Sequence, residues 1–232
     1  LQLQRAECLQ QLRRGDEAMK LLLQVHARAV QLHGAKSMPV GLAAQSIAAL
    51  AARSNDLETA VQYSRETLDI LDRLEPADSP GIVATLGNLG SILQRQGSLE
   101  EAEAKHRDAY ARATLHEGHP FLAKATINLA TCLCDRGSLD EGLDLFLVGH
   151  RMQESLPVDH QERILVAYDL GRRLVAARPA QAVEFTTRYV EALRGDSRLQ
   201  RGLRGEFLSM RFKSHLQLRE FEAAEADGIE AS

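Results

Sequence analysis

The sequence predicts an all-α protein in which about six antiparallel helix pairs stack as an α-solenoid. Two observations lead to this prediction. Apolar and small residues recur at helical spacing along the chain, and the stretch 81–116 is followed by a near copy that begins at Phe121. Alanine and leucine carry much of the apolar share and β-branched residues are few, which disfavours strands. Because a repeat unit packs mainly on its neighbours, the duplication outweighs any local motif in deciding the fold.

The duplication is clearest when Gly97 is aligned with Gly137. The alignment places Asn88 on Asn128, Leu89 on Leu129, Leu93 on Leu133, Leu99 on Leu139 and Glu101 on Glu141. The predicted repeats, which we interpret as one array, are approximately 1–38, 39–79, 80–119, 120–160, 161–200 and 201–232.

The order of apolar and small residues in the first copy resembles the tetratricopeptide signature. The residues that carry this resemblance are Leu86, Leu89, Gly90, Leu93, Gly97, Leu99, Ala102, His106 and Ala109. The next repeat opens with Gly-His-Pro at 118–120, and the repeats are about 40 to 42 residues long. These features are most similar to the repeats of kinesin light chains and of many bacterial signalling proteins. The resemblance implies a right-handed superhelix whose concave face is lined by the first helix of each pair.

The resemblance also implies that a ligand binds in the concave groove, where asparagines at the position of Asn88 and Asn128 hydrogen-bond a peptide backbone. An amide suits this task because it both donates and accepts. The alternative is a polar residue that packs or caps within its own repeat. Ser46 and Asp169 occupy the corresponding sites of the second and fifth repeats, so the asparagine series is interrupted. By the same register, the remaining predicted partner-binding residues are Gln45, Ser91, Gln94, Lys124, Thr131, Tyr168 and Arg172.

The acidic residues at two helix starts are predicted to be structural. Ser98 lies three residues before Glu101, and Ser138 lies three residues before Glu141, which is the capping-box pattern. The sequence contains no glycine-rich phosphate loop after a strand, no nucleophile elbow and no HExxH motif. We therefore expect a non-enzymatic protein that needs no cofactor.

Cysteine, histidine and charge patterns argue against a metal-binding, disulfide-rich, nucleic-acid-binding or membrane protein. Cys132 and Cys134 are two apart on a predicted helix, where side chains diverge by about 200°, so we interpret them as buried small hydrophobes and predict no metal site. His119 belongs to the Gly-His-Pro boundary, where the resemblance implies a structural role. Three cysteines form no disulfide framework, which favours the cytoplasm. A formal net charge of −4 and the lack of a long apolar stretch give no case for nucleic-acid or membrane partners.

The sequence thus predicts a non-catalytic tetratricopeptide scaffold that binds a peptide or protein partner in its concave groove. Two alternatives stay open: a regulatory or sensing segment of a larger signalling enzyme or transcription regulator, with an intramolecular partner domain, and a self-assembly module that forms homo-oligomers. The chain begins with Leu1 and ends within a predicted helix, so we expect it to be a piece of a longer protein.

Overall fold

A computed structural model describes residues 2–12, 14–116, 118–158, 160–195 and 198–231, the backbone alone at 198 and 199. The outer limits of the first and last predicted repeats, residues 1 and 232, lie outside this part of the chain. Within it there are twelve α-helices and no strand. The helices are α1 Gln2–Gln11, α2 Gly15–His33, α3 Met38–Arg53, α4 Leu57–Leu74, α5 Pro80–Gln96, α6 Leu99–Ala113, α7 Leu122–Asp135, α8 Leu139–Arg151, α9 Gln161–Ala177, α10 Pro179–Ala192, α11 Arg198–Gln217 and α12 Phe221–Ala231.

The chain divides into two compact units, Leu1–Cys132 and Leu133–Ser232. In the first unit each helix from α1 to α5 packs against the next one along the chain. In the second unit α8 packs on α9, α9 on α10, α10 on α11 and α11 on α12. The all-α class and the pairing of consecutive helices are confirmed, while the single array of six repeats stays a prediction.

Short turns with defined chemistry separate the helices. The Asp56 carboxylate accepts a hydrogen bond from the Thr59 backbone N–H at 3.1 Å and so caps α4. The Ser79 hydroxyl does the same for α5, which begins with proline. Gly97 and Gly137 follow α5 and α7 with φ of 86° and 94°, a left-handed conformation that glycine adopts without steric cost.

The two predicted capping boxes are wrong. The hydroxyls of Ser98 and Ser138 make no cap hydrogen bond. The backbone N–H of each serine already donates 2.9 Å to a carbonyl of the preceding helix, at Leu93 and Leu133 respectively, so no carboxylate can take it. Both serines also have ψ near 60°, outside the extended region that N-cap residues usually adopt.

Ion pairs join second helices of successive repeats instead. The Glu101 carboxylate on α6 accepts from Arg65 of α4 at 2.7 Å. Arg112, also on α6, donates to Asp72 of α4 at 2.7 Å and to Asp108 of its own helix at 2.8 Å. Each exposed pair contributes little free energy, but these pairs fix the lateral register of α4 and α6.

Small residues line the contacts between helices of the first unit. A buried cluster combines alanines of α3, α4 and α6, namely Ala51, Ala60 and Ala102, with Leu89 and Leu93 of α5. All five are at most 5% exposed. Alanine brings helix backbones closer than larger residues would, so leucines from the neighbouring helix fill the remaining space.

A buried side chain of α6 packs directly against the backbone of α5 at Gly90. A Cβ atom built there would lie 2.6 Å from Cε1 of His106 and 2.8 Å from both ring nitrogens. The imidazole of α6 therefore occupies the space that a side chain on α5 would need. His106 is 1% exposed, and neither ring nitrogen has a hydrogen-bond partner. This burial lowers the pKa of His106 to about 4, so the ring is neutral at pH 7.

The cysteines and His119 take structural positions. Cys132 and Cys134 are buried and free, as predicted. His119 Nδ1 accepts from the Phe121 backbone N–H at 3.1 Å, which leaves Nε2 to donate to the Asp78 carbonyl at 3.0 Å. This histidine thus ties the start of one repeat to the loop before α5.

Replacing Gly90 by alanine should destabilise the first unit by about 1–3 kcal/mol, because the new methyl group must displace the buried His106 ring. Urea unfolding followed by circular dichroism measures this. The matched control is Gly205→Ala on α11, where no atom lies within 4 Å and the helix should gain about 0.5–1 kcal/mol. A Gly90→Ala protein as stable as the parent would contradict the packing described.

Acid should weaken the first unit through His106. The unfolded imidazole titrates near pH 6.5 and the folded one near pH 4, so between these values only the unfolded chain takes up the proton. The free energy of unfolding should therefore fall as the pH falls from about 6.5, by about 3 kcal/mol at pH 4.

The control for this effect is His106→Phe, which copies Phe146 at the corresponding position of the next repeat. Unfolding curves at pH 7 and pH 4.5 should show a smaller pH dependence in this variant. An identical pH dependence in both proteins would exclude His106 as its source.

Candidate binding groove

A cavity of about 480 Å³ opens between α3, α4 and α5 of the first unit. Three of the predicted partner-binding residues, Gln45, Asn88 and Ser91, line it. The lining is otherwise made of small and polar residues together with one arginine: Ser46, Ala48, Ala49, Ala52, Ser64, Thr67, Thr85, Ile92 and Arg95. The predicted register therefore brings residues from two first helices to one concavity.

A second cavity, of about 610 Å³, adjoins the first between α1 and α3. The two share Ser46 and Ala49 in their linings. Gln4 of α1 lines the second cavity 42 residues before Ser46, which is the spacing that separates Ser46 from Asn88. Sequence reasoning missed Gln4, although extending the same spacing towards the N-terminus would have found it.

A crevice of about 10 Å³ links the next pair of this series. Asn88 and Asn128, 40 residues apart, line it together with Lys124. A Cβ built on Gly87 would lie 3.4 Å from the Asn128 side-chain nitrogen, so the glycine gives the amide room to approach α5. Each neighbouring pair of ladder residues, defined as Gln4, Ser46, Asn88 and Asn128, therefore lines a common concavity.

The ladder amides of α5 and α7 are available for a ligand. Asn88 is exposed and Asn128 is half-buried. Neither side chain forms a hydrogen bond to any residue that the structure describes. Because a buried or half-buried amide is costly to leave unpaired once water is displaced, a ligand that covers this surface must supply a donor and an acceptor to each amide.

The groove serines have already used their donors. The Ser91 hydroxyl donates to the Gly87 carbonyl at 2.9 Å, and the Ser46 hydroxyl donates to the Leu42 carbonyl at 3.0 Å. Only the oxygen lone pairs of both serines are left for a ligand. The serine positions therefore accept hydrogen bonds, whereas the amide positions both donate and accept.

One cation stands at the edge of the first cavity. Arg95 donates to the Ala52 carbonyl at 3.0 Å and to the Asn55 side-chain oxygen at 3.1 Å. Both acceptors lie at the end of α3, where Asn55 takes a φ of 63°. The guanidinium is thereby positioned over the groove edge and favours an acidic group on a ligand.

The other predicted residues are placed differently. Lys124 is exposed beside the Asn88–Asn128 crevice. Gln94 and Thr131 are half-buried and line neither cavity nor the crevice. The structure thus groups Gln45, Ser91 and Lys124 with the asparagines and leaves Gln94 and Thr131 outside these concavities.

In the second unit, Tyr168 and Arg172 face each other. The Arg172 guanidinium carbon lies 6.0 Å from the Tyr168 ring centroid, and one guanidinium nitrogen lies 3.9 Å from the Asp169 carboxylate. The Tyr168 hydroxyl donates a long hydrogen bond of 3.5 Å to Glu206 on α11. Both predicted residues are therefore engaged within their own unit, and Asp169 partly neutralises Arg172.

Two kinds of site are absent from the described part of the chain, namely metal-binding clusters and membrane-spanning helices. There, no group of three or more His, Cys, Asp or Glu side chains is placed to hold a metal ion. None of the described helices combines the length and the apolarity that crossing a membrane requires.

A family model for the tetratricopeptide repeat matches residues 43–115 and, overlapping with them, residues 81–155. Residues 43–155 therefore consist of tetratricopeptide repeats. The matched region contains the groove from α3 to α7 and the duplicated stretch that resembles the family signature. A search of curated protein sequences found no significant match.

Solved structures agree with this assignment at low sequence identity. One is a Podosopora anserina protein assigned to the kinesin light chains, with nearly identical TPR-like repeats. Its sequence is 19% identical and its TM-score is 0.67, and the aligned region covers 94% of this chain and 95% of that protein. BtubC from P. vanneervenii is 14% identical with a TM-score of 0.71, at coverages of 94% and 89%. YrrB, a TPR protein with an unusual peptide-binding site, is 13% identical with a TM-score of 0.61, at coverages of 89% and 90%. The predicted fold class, an all-α tetratricopeptide solenoid, is confirmed.

Proposed function

We propose that this tetratricopeptide repeat protein is a non-catalytic binding module that holds an extended peptide segment of a protein partner along the ladder residues of its first unit. The observation that carries the proposal is that each successive pair of ladder residues lines a shared concavity on the first helices. A peptide that follows these concavities meets a hydrogen-bonding side chain on every first helix that it crosses.

An extended peptide can run from one ladder residue to the next, because it rises about 3.3 Å per residue and exposes its N–H and C=O groups along its length. The amides of Asn88 and Asn128 can each bind one peptide unit through its N–H and C=O, while Ser46 accepts from an N–H.

The apolar floor of the groove and the cations beside it indicate which side chains a bound peptide should carry. Ala48, Ala49 and Ala52 leave an apolar floor on which leucine-sized side chains can be buried. Arg95 and Lys124 stand beside the two concavities that Asn88 lines. The expected ligand therefore carries apolar anchors and acidic residues, and its binding should weaken with salt.

The composition of the groove supports a binding role over catalysis. The first cavity is lined by amides, hydroxyls, alanines, one isoleucine and one arginine, and none of the described residues in its lining is a histidine, a cysteine or a carboxylate. General acid–base chemistry near neutral pH needs a group that titrates there. The likeness in fold to YrrB, which has a peptide-binding site of its own, agrees with this role.

We also propose a reducing compartment, such as the cytoplasm, as the place where the protein works. All three cysteines are free thiols, Cys8 on the surface and Cys132 and Cys134 in the interior. An exposed thiol such as that of Cys8 persists best where disulfides are kept reduced.

Selecting a displayed library of random peptides on the intact chain tests the proposed function. The best ligand is then synthesised, and its affinity is measured by fluorescence anisotropy. Asn88→Ala/Asn128→Ala should weaken binding by about tenfold or more, because each asparagine contributes hydrogen bonds worth about 0.5–1.5 kcal/mol.

The control variant is Gln62→Ala, the same type of truncation on an exposed position of α4 that lines none of the concavities. Its affinity should stay within about twofold of the parent, which corresponds to about 0.4 kcal/mol. Failure to select any peptide would argue against the module, and a ligand that binds the double variant equally well would exclude the ladder as its site.

A further inference from the structure

The second unit contains a cavity that repeat register does not predict. It has a volume of about 510 Å³, within the range of small-molecule sites, and lies between α8 and α10. The segment 152–158 contributes Glu154 and Val158 to its wall, and the first turn of α9 contributes Arg163. It is therefore lined by second helices and a loop, unlike the groove of the first unit.

One side of the cavity is apolar. Leu147 and Val148 of α8, Val158 of the loop and Phe185 of α10 line it. The Phe185 ring packs edge-on against His150, with centroids 5.1 Å apart. These side chains can bury an aromatic or branched aliphatic group of a ligand.

The buried floor is polar but uncharged. His150 Nε2 and the Tyr189 hydroxyl are hydrogen-bonded at 2.5 Å, and both residues are less than 10% exposed. Burial, aided by the nearby charge of Arg163, lowers the pKa of His150 to about 4. Burial also raises the pKa of Tyr189 above its usual value. Both side chains are therefore neutral at pH 7, and the floor carries no charge of its own.

Arg163 places a fixed guanidinium at the cavity. One terminal nitrogen, Nη1, donates to the backbone carbonyls of Glu154 at 3.2 Å and Leu156 at 2.6 Å, and Nε lies 3.4 Å from the Tyr189 hydroxyl. These contacts hold the plane of the guanidinium in place. The other terminal nitrogen, Nη2, has no hydrogen-bond partner within the described ranges, so it can donate to a ligand.

The charges around the cavity leave an excess of cations. Among the residues that the structure describes, its lining includes three arginines and three acids: Arg151, Arg163, Arg188, Asp144, Glu154 and Glu184. Asp144 is bound at 2.5 Å by Arg178, which lies outside the lining, and Glu184 is bound at 2.6 Å by Arg188. Two arginines, Arg163 among them, are therefore balanced by one acid. This asymmetry favours a ligand with a single negative charge.

We propose that this cavity binds an organic acid with one carboxylate and an apolar body. The body packs against Leu147, Val148 and Phe185, and the carboxylate accepts hydrogen bonds from Nη2 of Arg163. Charge-assisted hydrogen bonds of this kind are stronger than neutral ones. A free small acid and the C-terminal residue of a polypeptide ending in an apolar side chain present the same chemistry, and the experiment separates them.

The test uses the intact chain and three probes, titrated by ligand-observed NMR up to about 10 mM, a range that suits ligands of this size. The first is 4-phenylbutyrate, and the second is its neutral amide. The third is an acetylated Gly-Ser-Gly-Phe peptide with a free carboxylate. We expect the carboxylates to bind at least about tenfold more tightly than the amide. Binding of the free acid alone, or of the peptide alone, identifies the source and supports the site.

Two variants test the location. Val148→Trp fills the cavity without touching Arg163, and Arg163→Gln removes the charge; each should weaken carboxylate binding by about tenfold or more. Their controls are Leu165→Trp, at a position of α9 that is 61% exposed, and Arg172→Gln; neither residue lines the cavity. Thermal unfolding confirms that each variant is folded.

Three results would overturn the proposal: absence of binding by both carboxylates, equal binding of acid and amide, or full binding by a folded Val148→Trp protein. Because Val148→Trp leaves the arginine and its loop contacts intact, the proposal stays testable even if Arg163→Gln unfolds the segment 152–158. None of these results depends on the groove of the first unit.

Discussion

Close packing through small side chains is the constraint on which the first unit depends. Where α3, α4 and α6 meet α5, the contacting residues are alanines, and at Gly90 there is no side chain at all. Because these residues are small, leucine side chains and the His106 ring fit into the core between the helices. Small residues also affect the surface, because Ala48, Ala49 and Ala52 of α3 form the floor of an open groove. A chain with larger residues at these positions would separate the helices and fill the groove.

Arginine side chains form ion pairs and hydrogen bonds between helices, and these contacts contribute little to the free energy of unfolding. Arg65 and Arg112 join α4 to α6, and Arg95 joins α5 to the turn after α3. Exposed ion pairs are individually weak, yet each of these arginines spans two repeats. They therefore act on the register of neighbouring helix pairs, which is the variable that sets the spacing of the ladder residues along the groove.

The repeat spacing in the sequence was sufficient to predict the helix pairs and the neighbouring positions of Asn88 and Asn128. It worked because spacing along the chain translates directly into positions on equivalent helices, as it does for Asn88 and Asn128. It failed where local geometry decides. The Ser98 hydroxyl makes no cap hydrogen bond to α6, and the Ser98 backbone N–H is already bound to the Leu93 carbonyl of the preceding helix. The cavity of the second unit is lined in part by Glu154 and Val158, which lie between α8 and α9 and outside the helical pattern of the repeats.

Among the described residues, the serines that line the groove form no hydrogen bond between helices. The Ser46 and Ser91 hydroxyls bond only to carbonyls within their own helices, so their hydrogen bonds hold no two elements together. Exchanging such a residue for alanine or threonine changes what the groove offers a ligand while leaving the contacts between helices intact. The hydrogen-bonding character of the groove can therefore be changed at little structural cost, whereas Gly90 cannot be replaced by a larger residue without disturbing the core.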